Sequence, residues 1–314
     1  MNDPVRTFKG RQKTQIVDQI RADQAELPKA ERYKIGDLLR VIDLNKATYH
    51  DERKRIKNHK DKYVQEKKTI LEIAKDGTFR GRLTYGYRRI GDELAKRGIH
   101  LCGDTIRKLM SEMGIQVTMY NKHINHHYSS FKGKVGKVCI NALNQLFEET
   151  EPYMVLHTDV TQVKLASNKW AYISAITDEA SKEVLAFQIN DSPNKELIKD
   201  TLSELLKKLP DWAKPIIHSD QGWHYQLSYY TETLIENNLV QSMSRKGNCL
   251  DNAPIESFFH IYKTECLVGF PPCKNIEELK TISQEYVSWY NNVRISRETK
   301  SMSPVKYREH ALAA

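Results

Sequence analysis

Residues 153–190 read YMVLHTDVTQVKLASNKWAYISAITDEASKEVLAFQIN. Three apolar, β-rich runs, 153–160, 170–177 and 183–189, are separated by short turns, which is the pattern of a meander of consecutive strands. Downstream the period changes. Residues 194–208 place Leu197, Leu202, Leu205 and Leu206 at helical spacing. Ile216 and Ile217 form a short buried strand that ends at Asp220. Residues 227–237 read as a helix, 239–243 as a strand, and 254–266 as a helix opened by Pro254 in its first turn. Three strands followed by alternating helix and strand predict an α/β fold of the ribonuclease-H-like kind.

The rest of the chain is different in texture. Residues 1–150 carry 31 Lys and Arg against 19 Asp and Glu, whereas residues 151–314 carry 18 against 21. A basic first half implies a polyanionic partner, because Lys and Arg displace counterions from phosphates. Residues 1–75 are helical in composition, and 30–55 read as helix, turn, helix, with Asn45 able to cap the second segment. A clearer unit follows. Tyr87, Ile90 and Leu94 share a face, Gly98 breaks the pattern, and Asp104 is placed to cap a helix whose inner face is Ile106, Leu109, Met110 and Met113, ended by Gly114. That is helix-turn-helix grammar, with Arg107 and Lys108 on the outer face as candidate DNA contacts. Residues 121–150 read as a basic linker. His123, His126 and His127 invite a metal reading there, but no C-x-x-C pair supports zinc, and a polar connector that tracks DNA is favoured.

The five cysteines are scattered and odd in number, which argues against a disulfide framework. No apolar run approaches the ~20 residues that span a bilayer, and residues 1–13 lack the apolar stretch of a secretory signal. The expected setting is cytoplasmic, with no membrane partner.

Three acids stand where phosphodiester chemistry needs them. Asp159 lies near the end of the first strand, Asp220 just after the short fourth strand, and Glu256 on the first turn of the last core helix, with 35 residues between it and Asp220. Carboxylates are hard oxygen ligands, and strand ends are rigid and open, so the set predicts a catalytic site that holds two Mg²⁺ ions. Along the Glu256 helix, Ile255, Phe258, Phe259 and Tyr262 form the buried stripe. Glu256, His260 and Lys263 share a neighbouring face, which offers a carboxylate to metal and a lysine to a DNA phosphate. Asp178 and Asp251 are nearby acids whose simpler roles are a turn and a helix entry. Arg245 and Lys246, in the turn Ser244-Arg245-Lys246-Gly247-Asn248, are candidate grips on a DNA backbone. Gly222 and Trp223 either shape the wall of the site or simply pack. Trp289, Tyr290, Asn291, Asn292 and Arg294 interleave aromatics with a cation as a nucleic-acid surface does, although Trp289 reads better as core.

These segments resemble a known family. HSDQGWHYQ (218–226), QSMSRKGNCLDNAPIESFFHIYKTE (241–265) and WYNNVRISRETKSMSPVKYR (289–308) are similar to the integrase core of the insertion-sequence-three (IS-three) family, in its second-frame (OrfB) transposase product. LTYGYRRIGDELAKRGIHLCGDTIRKLMSEMGI (83–115) resembles that family's DNA-binding helix-turn-helix, and YSSFKGKVGKV (128–138) the connector of one subgroup. The resemblance implies a retroviral-integrase-like DDE recombinase with Asp159, Asp220 and Glu256 as its triad and Lys263 as its basic residue. It implies cleavage at element ends followed by attack of a 3′-hydroxyl on another phosphodiester. Mg²⁺ is the implied cofactor, with Mn²⁺ able to substitute. The implied partners are the element's terminal repeats, target DNA, further copies of the chain on DNA, and an upstream OrfA-type protein or fusion. His157 departs from the family, which usually has an aromatic there, and His260 stands where a small residue is common.

The expected organisation is a basic helical region with a possible helix-turn-helix (1–75), a helix-turn-helix DNA-binding region (76–120), the linker (121–150), the catalytic core (151–268) and a C-terminal helical extension (269–314). The expected function is Mg-dependent DNA strand transfer. Two rivals remain open on the residues alone: a hydrolytic nuclease of the same fold, and a DNA-binding regulator without catalysis.

Overall fold

The computed structural model describes residues 8–58, 61–120, 139, 141, 143, 148–245 and 249–314, and the chain divides into two compact units, Met1–Val64 and Gln65–Ala314. The first contains α1 (Gly10–Asp23), α2 (Ile35–Val41) and α3 (Lys46–Lys57). Its core is small: Val17, Leu39, Ile42 and Tyr49, ringed by Ile16, Ile35, Leu38 and Leu44. The Tyr49 hydroxyl donates to Asp18 at 2.5 Å and accepts from Arg21 at 3.2 Å, tying α3 to α1.

The second unit opens with α4 (Val64–Asp76), which belongs to it from Gln65 onward, and a two-stranded ladder, β1 (Thr78–Phe79) with β2 (Arg82–Leu83). The helix pair α5 (Tyr87–Lys96) and α6 (Gly103–Glu112) follows. Ile90 and Leu94 of α5 and Ile106, Leu109 and Met110 of α6 are buried, as their spacing predicts. One detail differs. Cys102, not Asp104, occupies the cap position of α6; Asp104 sits within the first turn and engages the Arg107 guanidinium. The residue before the helix takes the extended backbone that a cap needs, and the acid two positions later gains the favourable field of the helix N-terminus instead.

The α/β part of the second unit is built on β3 (Val155–Lys164), β4 (Trp170–Asp178), β5 (Val184–Asn190), α7 (Lys195–Lys208), β6 (Ile216–Ser219), α8 (Ser228–Glu236), β7 (Val240–Met243) and α9 (Ala253–Tyr262). The strands lie in the order β5-β4-β3-β6-β7. β3, β4 and β5 pair antiparallel, and β6 and β7 join parallel beside β3. An antiparallel meander with parallel strands added by helical crossovers is the ribonuclease-H-like architecture that the sequence predicts. A mixed sheet buried on both faces needs apolar side chains in both directions, and the strands supply them. One face carries Ala171, Ile173 and Ala175 against Ile255, Phe258, Phe259 and Tyr262 of α9. The other carries Leu156, Ile176 and Ile217 against Leu202 and Leu205 of α7 and Leu234 of α8.

After α9 the chain forms a π-helical turn, Lys263–Leu267, and then α10 (Ile276–Asn292) and α11 (Pro304–Leu312). Leu279, Tyr286 and Tyr290 of α10 belong to the same core as α9, so residues 269–314 complete that face of the sheet. Arg294 is buried rather than set out on a nucleic-acid surface: its guanidinium holds the equally buried Glu265 through three contacts of 2.9–3.1 Å. A guanidinium this deep is retained only with a carboxylate facing it. Trp289 packs on Phe79 at 5.5 Å between ring centres and donates to the Asp76 carbonyl at 3.0 Å, in keeping with its reading as core. Among the described residues no helix is long and apolar enough to cross a membrane.

Candidate active site

Strand register places the first two acids. β3 and β6 run parallel with His157 opposite His218; continuing that register just past the end of β6 brings Asp220 level with Asp159 on the same side of the sheet. That side is the one covered by α9. Asn252, immediately before α9, clamps the helix to β3: its side-chain oxygen meets His157 Nδ1 at 3.0 Å, and its amide donates to the Thr158 carbonyl at 3.1 Å. The other His157 nitrogen, Nε2, lies 2.7 Å from the buried Glu179 carboxylate. Glu256 follows one turn into α9, partly exposed beside the buried stripe.

The electrostatics agree with this convergence. The Asp159 carboxyl is pushed up to about 8, first by burial and then by the charge of Asp220, with Glu256 adding to it and Lys263 opposing. Burial and Asp220 likewise raise Glu256, and burial raises Asp220 despite a hydrogen bond from the Gly222 amide at 2.8 Å. Asp159 and Glu256 are therefore disfavoured as anions by burial and by the charge of Asp220, and Asp220 by burial, which is the condition a nearby cation relieves. Lys263 is partly buried, and its ammonium donates to Thr161 Oγ1 at 2.6 Å, two residues beyond Asp159 on the same face of β3.

Among the described residues no three His, Cys, Asp or Glu side chains close into a group able to hold a metal ion by themselves. Mg²⁺ keeps several waters and is commonly held by one or two carboxylates together with substrate phosphates. The all-oxygen donor set also matches a hard cation.

The other candidates fall in different settings. Arg107 and Lys108 are exposed on α6, with the Arg107 guanidinium 4.4 Å from the centre of the Tyr87 ring. Arg245 is exposed but anchored, its backbone amide and guanidinium contacting the buried Asp251 at 2.8–3.1 Å. Asp251 is thus the brace at the base of the turn. Lys246 lies outside the described residues, as do His123, His126 and His127. Asp178 is a turn residue, accepting from Tyr153 and Ser181 at 2.7 Å. His260 is exposed on α9, and Trp223 is exposed with its ring centre 4.4 Å from that of His224, the two planes tilted by 31°.

Sequence reasoning passed over Asn252, Glu179 and Tyr225. Tyr225 is fully buried, and after burial the charges of Asp159 and Asp220 are the largest influences that raise its hydroxyl, so it sits behind the acids. Its signal was its place five residues after Asp220. Glu179 and Asn252 carried none, because their common partner, His157, is distant along the chain.

An HTH-like domain family matches residues 62–123, and two integrase core domain families match 149–249 and 256–312. A protein named "Putative transposase InsK for insertion sequence element IS150", from Escherichia coli (strain K12), is 36% identical over 276 residues, 88% of this chain and 94% of that one. The chain belongs to the IS-three family of insertion-sequence transposases. A transposase-like protein of Haemophilus influenzae is 40% identical over 207 residues, 66% of this chain and 93% of its own. "Transposase InsF for insertion sequence IS3A", also from E. coli (strain K12), is 30% identical over 190 residues, 60% of this transposase and 65% of its own length. The transposase places its integrase-core matches on the sheet and on the helices α9 to α11, and its HTH-like match on the region that contains α5 and α6.

Proposed function

We propose that the transposase joins DNA strands at a site formed by Asp159, Asp220 and Glu256, with two Mg²⁺ ions, replaceable by Mn²⁺, held by those carboxylates. The observation that carries this reading is the register of β3 and β6, which sets Asp159 beside Asp220 under the helix that bears Glu256. When bound, such ions neutralise the phosphodiester and lower the cost of generating an attacking oxygen.

The protein's own groups do the rest. The Gly222 amide orients the Asp220 carboxylate, and the Val160 amide holds Asp159 at 2.7 Å. Asn252 and His157 fix the distance between strand and helix. Lys263, braced by Thr161, sets a positive charge next to Asp159, where a DNA phosphate enters. Arg107 and Lys108 of α6 read or grip the element's terminal repeat, and Arg245 and Lys246 hold the DNA backbone. Residues 76–120 serve end recognition, 121–150 the connection, and 151–268 the chemistry, completed by 269–314. Bringing two element ends to one target requires more than one copy on DNA, and an upstream OrfA-type protein or fusion supplies further end recognition.

The test uses the ends of the element that encodes the chain, with Mg²⁺. Asp220→Asn is expected to bind these ends as wild type does while joining falls by at least about a thousandfold. Full joining by Asp220→Asn sinks the assignment. Cut ends released without joining by the wild type identify a hydrolytic nuclease instead.

A further inference from the structure

Residues 10–58 fall outside the segments matched by the HTH-like and integrase core domain families. We propose that they form a second DNA-reading unit, in which α3 lies along duplex DNA with Lys46, His50, Lys54 and Lys57 as its contact stripe. The inference deepens the transposase reading only in taking DNA as the partner.

Two observations support it. The first is how the helices stop and restart. α2 ends with Asp43 in the left-handed conformation (φ 53°); the Asp43 amide donates to Arg40 and the Leu44 amide to Leu39. This 5→2 and 6→1 pair of bonds lets a chain leave one helix sharply. Leu44 tucks against the small core, and Asn45 at once caps α3, its side chain accepting from Ala47 at 2.8 Å. The α5–α6 turn, within the segment matched as HTH-like, uses the same device. Gly98 (φ 75°) donates to Ala95 and Ile99 to Leu94 before α6 begins at Gly103. The helix, turn, helix reading of 30–55 thus has its turn at Asp43, where Asp rather than glycine takes the left-handed position, which Asp tolerates better than most residues.

The second is the charge on α3. Lys46, His50, Lys54 and Lys57 recur at i, i+4, i+8 and i+11, so they line one face about 16 Å long. All four are exposed, and among the described residues no acid pairs with them. The neighbouring cations are engaged: Arg53 with Asp18 at 3.2 Å and Arg55 with Glu52 at 2.6 Å. Tyr49, one residue before His50, is buried and locked to α1, which fixes the rotation of the helix and keeps the stripe outward. A helix that follows a tight turn and carries unpaired cations on an exposed face suits a DNA groove. An acidic protein surface is the other occupant that such a stripe could take, and the test separates the two.

The full-length chain is incubated in EDTA, so that no chemistry occurs, with a pool of random duplexes about 40 base pairs long. Bound sequences are selected for wild type and for the triple variant Lys46→Ala, His50→Ala, Lys54→Ala, whose substituted side chains are all exposed. Wild type is expected to select a two-part motif. The variant is expected to retain one part and lose the other, with the slope of log affinity against log salt reduced by about 2–3. An unchanged slope, or a variant motif that keeps both parts, overturns the inference and leaves the transposase reading intact; an acidic protein as partner predicts that result. If wild type selects no sequence and binds no duplex, this inference and the DNA-end reading of the chain fail together.

Discussion

Gly222 has no side chain, and the space a β-carbon would need is taken: it would stand 2.8 Å from Asp220 Oδ1 and 3.1 Å from His224 Nδ1. The same residue's amide holds the Asp220 carboxylate. Gly222→Ala should therefore move the carboxylate rather than unfold the sheet. Joining is expected to fall on the order of a hundredfold, the usual result of an ångström-scale misplacement, with a denaturation midpoint near that of wild type. Wild-type joining by this variant would show that the carboxylate position does not matter. His157 gives a second prediction. Its ring joins Glu179 to Asn252, so His157→Phe keeps an aromatic ring there but removes the partner of two buried polar groups. The expected loss is about 2–4 kcal/mol in urea unfolding, with joining reduced more than DNA binding. Unchanged stability would mean that Glu179 and Asn252 find other partners.

The elements differ in how much of them the sequence disclosed. The stripe Ile255, Phe258, Phe259, Tyr262 made α9 legible, because a 3.6-residue period is a local property. The π-helical turn that follows was not legible, since its side chains also satisfy a helical pattern and only tertiary contacts widen it. That turn buries Glu265, which accepts from the Tyr286 hydroxyl at 2.8 Å and from Tyr120, beside the bidentate Arg294. Burial alone would raise the Glu265 carboxyl, but Arg294 and these hydrogen bonds outweigh it and hold the group below its ordinary value of 4.5. A carboxyl lowered on folding contributes stability that is fully present above its unfolded value and is lost as pH falls through its folded value. Glu265→Gln should therefore destabilise the second unit by about 3–5 kcal/mol near neutral pH, because it leaves a buried guanidinium without a counter-charge. The deficit should narrow as pH falls below about 4, which urea titrations at several pH values would measure. A deficit that stays constant to acid pH would show that Arg294 stabilises the turn by packing and not by charge.

For the whole molecule, composition announced two halves of opposite charge, and the β–helix order disclosed the catalytic fold, but the division of the chain was less visible. The helical texture of residues 1–75 runs on without a break, whereas the structure divides between Val64 and Gln65, inside a continuous pattern of helix formers. What separates the units is where side chains find their core, and composition does not carry that. Among the described residues the core of the smaller unit is Val17, Leu39, Ile42 and Tyr49, whereas the larger unit includes two extended clusters, one on each face of its sheet. Burial at roughly 25 cal/mol per Å² makes the smaller unit much the weaker of the two. All four tryptophans, Trp170, Trp212, Trp223 and Trp289, lie in the larger unit, while helix is present in both. Tryptophan fluorescence thus reports the larger unit alone and far-ultraviolet circular dichroism reports both. In urea, ellipticity is expected to begin falling at a lower concentration than fluorescence changes, giving two transitions that do not coincide. Tyr49→Phe, which removes the hydroxyl that ties α3 to α1, should shift only the earlier transition, by about 1 kcal/mol. Superimposable curves for the two probes would mean that the units unfold as one, and that the stability of the amino-terminal helices is drawn from the rest of the chain.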